Sequence, residues 1–371
     1  MYKFSDVFEF HKKSKIKAGD GKPKGKYPFY TSSTELNKYV DDYLFDGESL
    51  VFGTGGNASV HFAQNKFAVS TDCLVAQTNT KDVNPKFVYY YLSGNIHILE
   101  QGFKGAGLKH ISKVYISEIT FPKFSRKKQD EIVKIFDTAD NLRQKRKEQL
   151  ALLDDYLKSV FLKMFGDPQL NSKGFVVREL KEFYCDKNNG TKCGPFGSAL
   201  KKHEYTNRGI PVWNMDNISI DGQMLPKVNL FINEEKYCKL KSYSTFNGDV
   251  IISRAGTVGK MCVLKSTFNK SIISTNLIRV RFNNQLLPEY FISLMTYCKG
   301  RVGRLRTGSD GSFTHMNTGI LDSLKFPYPP LGLQKKFVKA KNNIELTKQK
   351  MRNSLKEMDN HFNALMQRYF A

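Results

Sequence analysis

Two glycine-rich loops have the residue types of a phosphate cradle: GTGGNASV over 53–60 and SRAGTVGK over 253–260. A phosphate loop of the Walker kind needs glycine where Arg254 stands and serine or threonine where Met261 stands, so that chemistry is excluded. Both loops read instead as tight turns between strands, presenting Thr54, or Arg254 and Thr257, outward. A histidine recurs just ahead of two long polar segments, as His110 in KGAGLKHIS and His315 in RTGSDGSFTHMN. It could act as a general base, but no nucleophile or paired carboxylate recurs beside it, so a ligand-facing or structural role fits better. The six cysteines, at 73, 185, 193, 238, 262 and 298, form no CxxC pair and no close grouping with histidine. No metal follows from them, and they read as free thiols in a reducing compartment.

Charge points to a partner. Lysine and arginine number 58 against 35 aspartates and glutamates, a formal net charge of +23. Such a surplus repels itself unless a polyanion offsets it, and nucleic acid is the usual one; a merely basic surface or an anionic membrane face are the alternatives. The stretch HKKSKIKAGDGKPKGKYPFYTSS runs through Lys22, Lys24 and Lys26 into Tyr30, Thr31 and Ser32. Later, KCGPFGSALKKHEYTNRGIPVWNMDNI combines Lys192, Ser198, Lys201 and Lys202 with Trp213 and Asn214. Lysines suit phosphates, whereas Asn, Ser, Thr and Arg can pair with base edges. Taken alone, the N-terminal run also reads as a solvated lysine tail beside core aromatics. A third basic loop, with Lys109 and His110 in one copy and Arg304, Arg306 and His315 in the other, strengthens the nucleic-acid reading.

These residues must be positioned by something, and the chain writes its positioning elements twice. FPKFSRKKQDEIV at 121–133 returns as FPYPPLGLQKKFV at 326–338, pairing Phe121 with Phe326, Gln129 with Gln334 and Val133 with Val338. The same offset holds to the end, where Asp154 meets Asp359 and Phe165 meets Phe370. Upstream the offset drifts, as loops absorb insertions that a packed helical seam cannot. From Ser125 to Phe165 there is neither proline nor glycine, which predicts one long helix. Ile132, Phe136, Leu150, Leu153, Leu157 and Val160 form an apolar stripe broken by Arg143 and Arg146. Phe337, Ile344, Leu355, Met358, Phe362 and Leu365 form the second stripe. Each helix needs the other to bury its stripe, so an antiparallel coiled coil is expected, a rod of roughly 60 Å with the globular parts at its opposite ends. An ordinary bundle within one compact domain is the alternative.

The remaining parts carry short β-rich runs such as GDVIIS, KMCVL and SIISTNLIRVRF, with helical candidates PKFVYYYLSG and PEYFISLMTY between them. The class is α+β: two β-rich parts, each a curved and mostly antiparallel sheet, joined by the two long antiparallel helices in an internal repeat. The boundaries read as 1–124, a helical spacer over 125–168, a second β-rich part over 169–330 and a second spacer over 331–371. No apolar run reaches membrane-spanning length and the first residues lack a signal peptide's apolar stretch, so a soluble, cytoplasmic protein without membrane contact is expected.

The order of motifs resembles the specificity subunit of type I restriction-modification systems, HsdS. GKYPFYTSS, FDGESLVFGTGG and KFAVSTDCLV carry the resemblance in the first half. GPFGSALKKHEY, RGIPVWNMDNI, FNGDVIISRAGTVG and SIISTNLIRV carry it in the second. The resemblance covers nearly the whole chain, loose in each motif and specific in their repeated order. It implies two target recognition domains, each reading half of a split double-stranded DNA sequence, with the paired helices as a ruler. It also implies a chain without catalytic activity that docks two modification subunits and restriction subunits. S-adenosylmethionine, Mg and ATP would then sit on those partners and not on this chain. In agreement, the sequence has no NPPY or NPPF methyltransferase motif, no complete Walker A and no nuclease carboxylate cluster. Trp213 and Asn214 depart from the aliphatic and basic residues expected after IPV, and the two halves share little sequence, so individual base contacts do not transfer. A stand-alone DNA-binding regulator, or a methyltransferase or nuclease using other residues, is the rival expectation.

Overall fold

The structure is a computed structural model that describes residues 1–370 other than 106, 108, 220, 221, 226, 255–258 and 298–315. Thr257, Arg304, Arg306, His315 and Cys298 therefore lie outside the described residues. The chain forms two compact units, one of residues 1–150 with 350–371 and the other of residues 151–349. Each unit holds one β-rich part and one half of each long helix.

The two long helices are Arg126–Phe165 and Leu331–Phe370, each of 40 residues. Ser125 starts the first, its hydroxyl accepting from the Lys128 N–H at 3.3 Å. Gly166 stops it in the left-handed region at φ +73°, donating its N–H to the Leu162 carbonyl at 2.8 Å. Within each unit the two helix halves run antiparallel. In the first, the Phe136 ring lies 5.4 Å from both Phe362 and Phe370; in the second, Phe161 and Phe165 both lie 5.4 Å from Phe337.

Of the two arginines that interrupt the first stripe, Arg146 donates to Gln149 Oε1 of its own helix at 3.2 Å, whereas Arg143 bridges the helices. Arg143 Nε lies 2.7 Å from Asp359 Oδ1, with its guanidinium 4.4 Å from the centre of the Phe362 ring. Lys348 Nζ, on a side chain only 4% exposed, lies 2.6 Å from Asp154 Oδ1. Arg143 and Lys348 are repeat equivalents, and so are Asp154 and Asp359. Each unit thus makes the same bridge with the two helices exchanging roles. Sliding the seam would strand these charges, so they specify register more than they add stability.

Not all of the seam is helix against helix. Ile132, Phe136, Phe362 and Leu365 enter the first unit's core, beside Phe4, Phe87 and Phe121. Leu153, Leu157, Val160, Phe337 and Ile344 enter the second unit's core with Tyr290 and Phe326. Leu150, Leu355 and Met358 are half-buried and belong to neither core.

The first unit's strands are Tyr2–Lys3 (β1), Phe8–Phe10 (β2), Tyr27–Tyr30 (β3), Tyr39–Val40 (β4), Ser49–Gly53 (β5), Ser59–Ala63 (β6), Ala68–Val69 (β7), Cys73–Thr78 (β8) and Thr120–Phe121 (β9). The second unit's are Val177–Glu179 (β10), Thr191–Cys193 (β11), Ile210–Trp213 (β12), Phe231–Ile232 (β13), Val250–Ser253 (β14), Met261–Val263 (β15), Ile272–Ile273 (β16), Leu277–Val280 (β17) and Lys325–Pro327 (β18). The sheets of the first are ordered β2-β8-β5-β6, β4-β3-β7 and β1-β9; those of the second, β11-β17-β14-β15, β13-β12-β16 and β10-β18. Strand for strand, the topology is duplicated.

The expected single curved sheet per part is corrected, among the described residues, to three small sheets. Their strands are too short for one continuous ladder, and β3–β7 and β12–β16 pair in parallel. Period-two alternation explains how the sheets share a core. In β5, Leu50 and Phe52 face the helices' core while Val51 faces Tyr30, Phe67 and Val75. In β14, Val250 and Ile252 face the helices' core while Ile251 faces Trp213 and Ile273.

A repeated glutamine fastens helix to sheet. Gln129 and Gln334 are both fully buried. Gln129 accepts from the Asn84 N–H at 2.8 Å and donates to the Asp82 and Phe124 carbonyls, each at 2.9 Å. Gln334 accepts from the Leu287 N–H at 3.0 Å and donates to the Gln285 and Pro329 carbonyls at 3.3 and 3.0 Å. In each unit the amide joins the start of a long helix to the start of a sheet-packed helix, Pro85–Gly94 or Pro288–Tyr297. Gln129→Leu keeps the volume but orphans one N–H and two carbonyls, so equilibrium denaturation should show a loss of about 2–4 kcal/mol. A loss within experimental error would refute the fastening role.

Candidate nucleic-acid interface

In each unit the backbone gathers three chain segments at one junction. In the first, Ser70 N–H donates to Tyr30 O at 2.9 Å, Thr54 N–H to Asp72 O at 2.8 Å and Ile111 N–H to Thr54 O at 3.1 Å. In the second, Ser274 N–H donates to Trp213 O at 2.8 Å, Arg254 N–H to Asn276 O at 2.9 Å and Met316 N–H to Arg254 O at 3.2 Å. The ends of β3 and β5, or of β12 and β14, are thereby held beside the turn that follows β7 or β16. Loop side chains are what differ.

The first junction is internally bonded. Ser32 Oγ and Thr54 Oγ1 both donate to Asp72 O, at 2.7 and 2.9 Å, and the Gly55 N–H reaches Ser32 Oγ at 3.4 Å. His110 Nδ1 is 3.1 Å from Thr54 O, and His61 Nε2 is 2.8 Å from Ser33 O. Burial lowers the His61 pKa, which favours a neutral ring whose N–H donates to that carbonyl. Thr31 is half-buried at the same turn.

The second junction is charged. The side chain of Asn214 accepts from the Asp216 N–H at 3.0 Å and caps the short helix Met215–Asn217. With Tyr205, Asp216, Ser274 and Asn276 it lines a cavity of about 200 Å³. The Arg254 guanidinium lies 4.5 Å from the centre of the Phe196 ring.

Three expected contacts are corrected by burial. Trp213 is 1% exposed, because β12 lies between two strands and this side chain enters the core with Ile251, Leu264 and Leu277. Tyr30, at the matching place in β3, is 8% exposed and packs on Val51 and Phe67. Thr54 is also 8% exposed and its hydroxyl faces inward to Asp72. These three shape the junction from beneath and cannot probe a groove.

The lysines differ in their freedom. Lys22 Nζ is 2.9 Å from Asp41 Oδ2, and that hydrogen bond raises the lysine's pKa and lowers the carboxyl's. Lys192, in β11, reaches to 5.3 Å from the Tyr243 ring centre. Lys26 lies 5.2 Å from the Tyr27 ring centre. Lys24, Lys26, Lys109, Lys201 and Lys202 are exposed and form no ion pair among the described residues. Ser198 lies in the 3-10 turn Gly197–Ala199.

Phe196 was not singled out in the sequence. A phenylalanine reads as core by default, yet this one is 56% exposed. The flanking glycines were the available signal. Gly197 has φ +51°, and a Cβ at Gly194 would collide with the Ser274 carbonyl oxygen, so the loop is drawn tightly over β16 with the ring left outside. Among the described residues, no three histidines, cysteines or carboxylates gather as a metal site. No helix there is long and apolar enough to cross a membrane.

The model of the type I restriction modification DNA specificity domain matches residues 1–152 and again 173–357. The chain is 23% identical over 355 residues to the MjaVIII type I restriction enzyme specificity subunit of Methanocaldococcus jannaschii, covering 87% of this chain and 83% of the relative. A putative type I restriction enzyme specificity subunit of Haemophilus influenzae is 21% identical over 335 residues, covering 86% and 80%. Among solved structures, the S subunit of a type I restriction-modification system from M. genitalium shares the fold, with a TM-score of 0.63 at 16% identity over 100% of this chain and 95% of that one.

Lysine freedom gives a graded expectation. If phosphates are held by unpaired lysines, Lys24→Ala and Lys26→Ala should each reduce the salt slope of duplex DNA binding by about one, and Lys22→Ala by less because Asp41 already competes for it. Equal slopes for all variants and the unaltered chain would remove this face from the interface.

Proposed function

Because this chain belongs to the family of type I restriction modification DNA specificity domains, we propose that it reads a two-part DNA target as the specificity subunit of such a system. One observation carries the two-part reading: the same backbone junction is built twice, with Thr31 and Ser32 beside it in one copy and Asn214 and Arg254 in the other. A duplicated frame with divergent side chains offers two half-sites of different sequence.

Exposed lysines bind phosphates, loop side chains at the junctions meet base edges, and the two long helices set the number of unread base pairs between the half-sites. Each helix contributes residues to both units, which supports the ruler role. The chain itself catalyses nothing. Two modification subunits and the restriction subunits bring S-adenosylmethionine, Mg and ATP, and the assembly works in the cytoplasm. Exposed apolar side chains on the helices, among them Leu142, Leu152, Tyr156, Leu162 and Leu346, support docking there.

Inserting four residues, about one turn or 6 Å, at equivalent points of both helices tests the ruler. Methylation mapping should then find both half-sites unchanged and the gap between them longer. An unaltered gap would contradict this function for the helices.

A further inference from the structure

We propose that Arg254 recognises a guanine in the half-site of the second unit, and that Phe196 is the positioning residue that aims it. The inference rests on the DNA-reading function and adds a base identity to one of its residues.

Arg254 is held like a built part. Its backbone is fixed at both ends, N–H to Asn276 O at 2.9 Å and carbonyl from the Met316 N–H at 3.2 Å. Its guanidinium lies 4.5 Å from the centre of an aromatic ring that is itself 56% exposed. Among the described residues no carboxylate pairs with it, and its Nη1 is buried without a hydrogen-bond partner. The contrast within the same unit is sharp: Arg281 makes two bonds to Asp249, at 2.7 and 2.8 Å, and Arg279 donates to the Ser244 and Asn189 carbonyls at 2.6 and 2.8 Å. Among the described residues, Arg254 alone of these three has no protein carboxylate or carbonyl accepting from its guanidinium, though Arg279 also keeps one unpartnered nitrogen, its Nε.

An unmatched cation kept in place by the fold favours a ligand that supplies acceptors. Guanine offers two on its groove edge, O6 and N7, spaced for the guanidinium fork. The Phe196 ring, its centre 4.5 Å from the guanidinium carbon, restrains that fork, which a lysine at the same position could not present. In the first unit the equivalent residue is Thr54, neutral and turned inward, so that unit has no guanine reader at this place.

Selection of bound sequences from a randomised duplex pool, using the full chain, tests this. The unaltered chain should enrich a two-part motif with a guanine in one half. Arg254→Ala should lose preference at that guanine by roughly 5- to 150-fold and keep the other half-site intact. Arg254→Lys should fail to restore it, and Phe196→Leu should weaken the same position while leaving the rest of the motif. Thermal unfolding of each variant is followed in parallel; if Arg254→Ala is unfolded, Arg254→Lys and Phe196→Leu decide. Loss of affinity spread evenly over all sequences would make Arg254 a phosphate contact and overturn the inference, as would a motif that the variants leave unchanged. No enriched motif from the unaltered chain would instead defeat the DNA-reading function itself.

Discussion

A forty-residue helix with one apolar stripe does not hold its shape alone in water, and everything in this chain follows from burying two of them. Within each unit the stripes meet antiparallel, and the aromatic residues at their ends close the core of the β-rich part as well. Phe136 touches Tyr90 of the sheet-packed helix as well as Phe362 and Phe370 of the opposing helix. Phe161 does the same with Tyr290 and Phe337. Removing such a ring would open both contacts together, so neither the helix pair nor the sheet core can be considered apart from the other.

Hydrophobic contact alone would leave the register loose, since apolar surfaces slide. Polar groups remove that freedom. The Arg143–Asp359 and Lys348–Asp154 bridges and the buried Gln129 and Gln334 amides fix how helix meets helix and how helix meets sheet. These frame residues are the same type, or conservatively exchanged, in both copies. The junction residues are not: Thr54 answers Arg254, and Thr31 answers Asn214. A frame under strict geometric demand with a rim under none is the arrangement expected of a protein whose frame serves one task and whose rim serves many targets.

Much of this was legible in the sequence. The repeat, both long helices, the helices Pro85–Gly94 and Pro288–Tyr297, and the family resemblance rest on periodicity and motif order, which are local or repeated signals. The paired glutamines were visible as repeat partners, but their bonds to Asp82 and Gln285 were not, since sequence does not report which carbonyls a fold leaves open. The sheets were misjudged as one per part, because two-residue strands such as β7 and β16 give no periodicity to read. Trp213 and Tyr30 read as surface beside basic neighbours, and Thr54 reads as the outward residue of a glycine turn. Burial is set by strands arriving from elsewhere, and no window around these residues contains them. The exposure of Phe196 is equally invisible locally, because it follows from the close approach of Gly194 to the Ser274 carbonyl.

If each unit carries its own half of the target, the frame is indifferent to which reader it holds. The most direct measurement is a map of methylated adenines in cells whose specificity chain has its 169–330 segment replaced by a second copy of 1–124. The target should become palindromic, with the first unit's half-site on both sides of the original gap. A map that still shows the second half-site, or the unaltered target, would contradict that indifference.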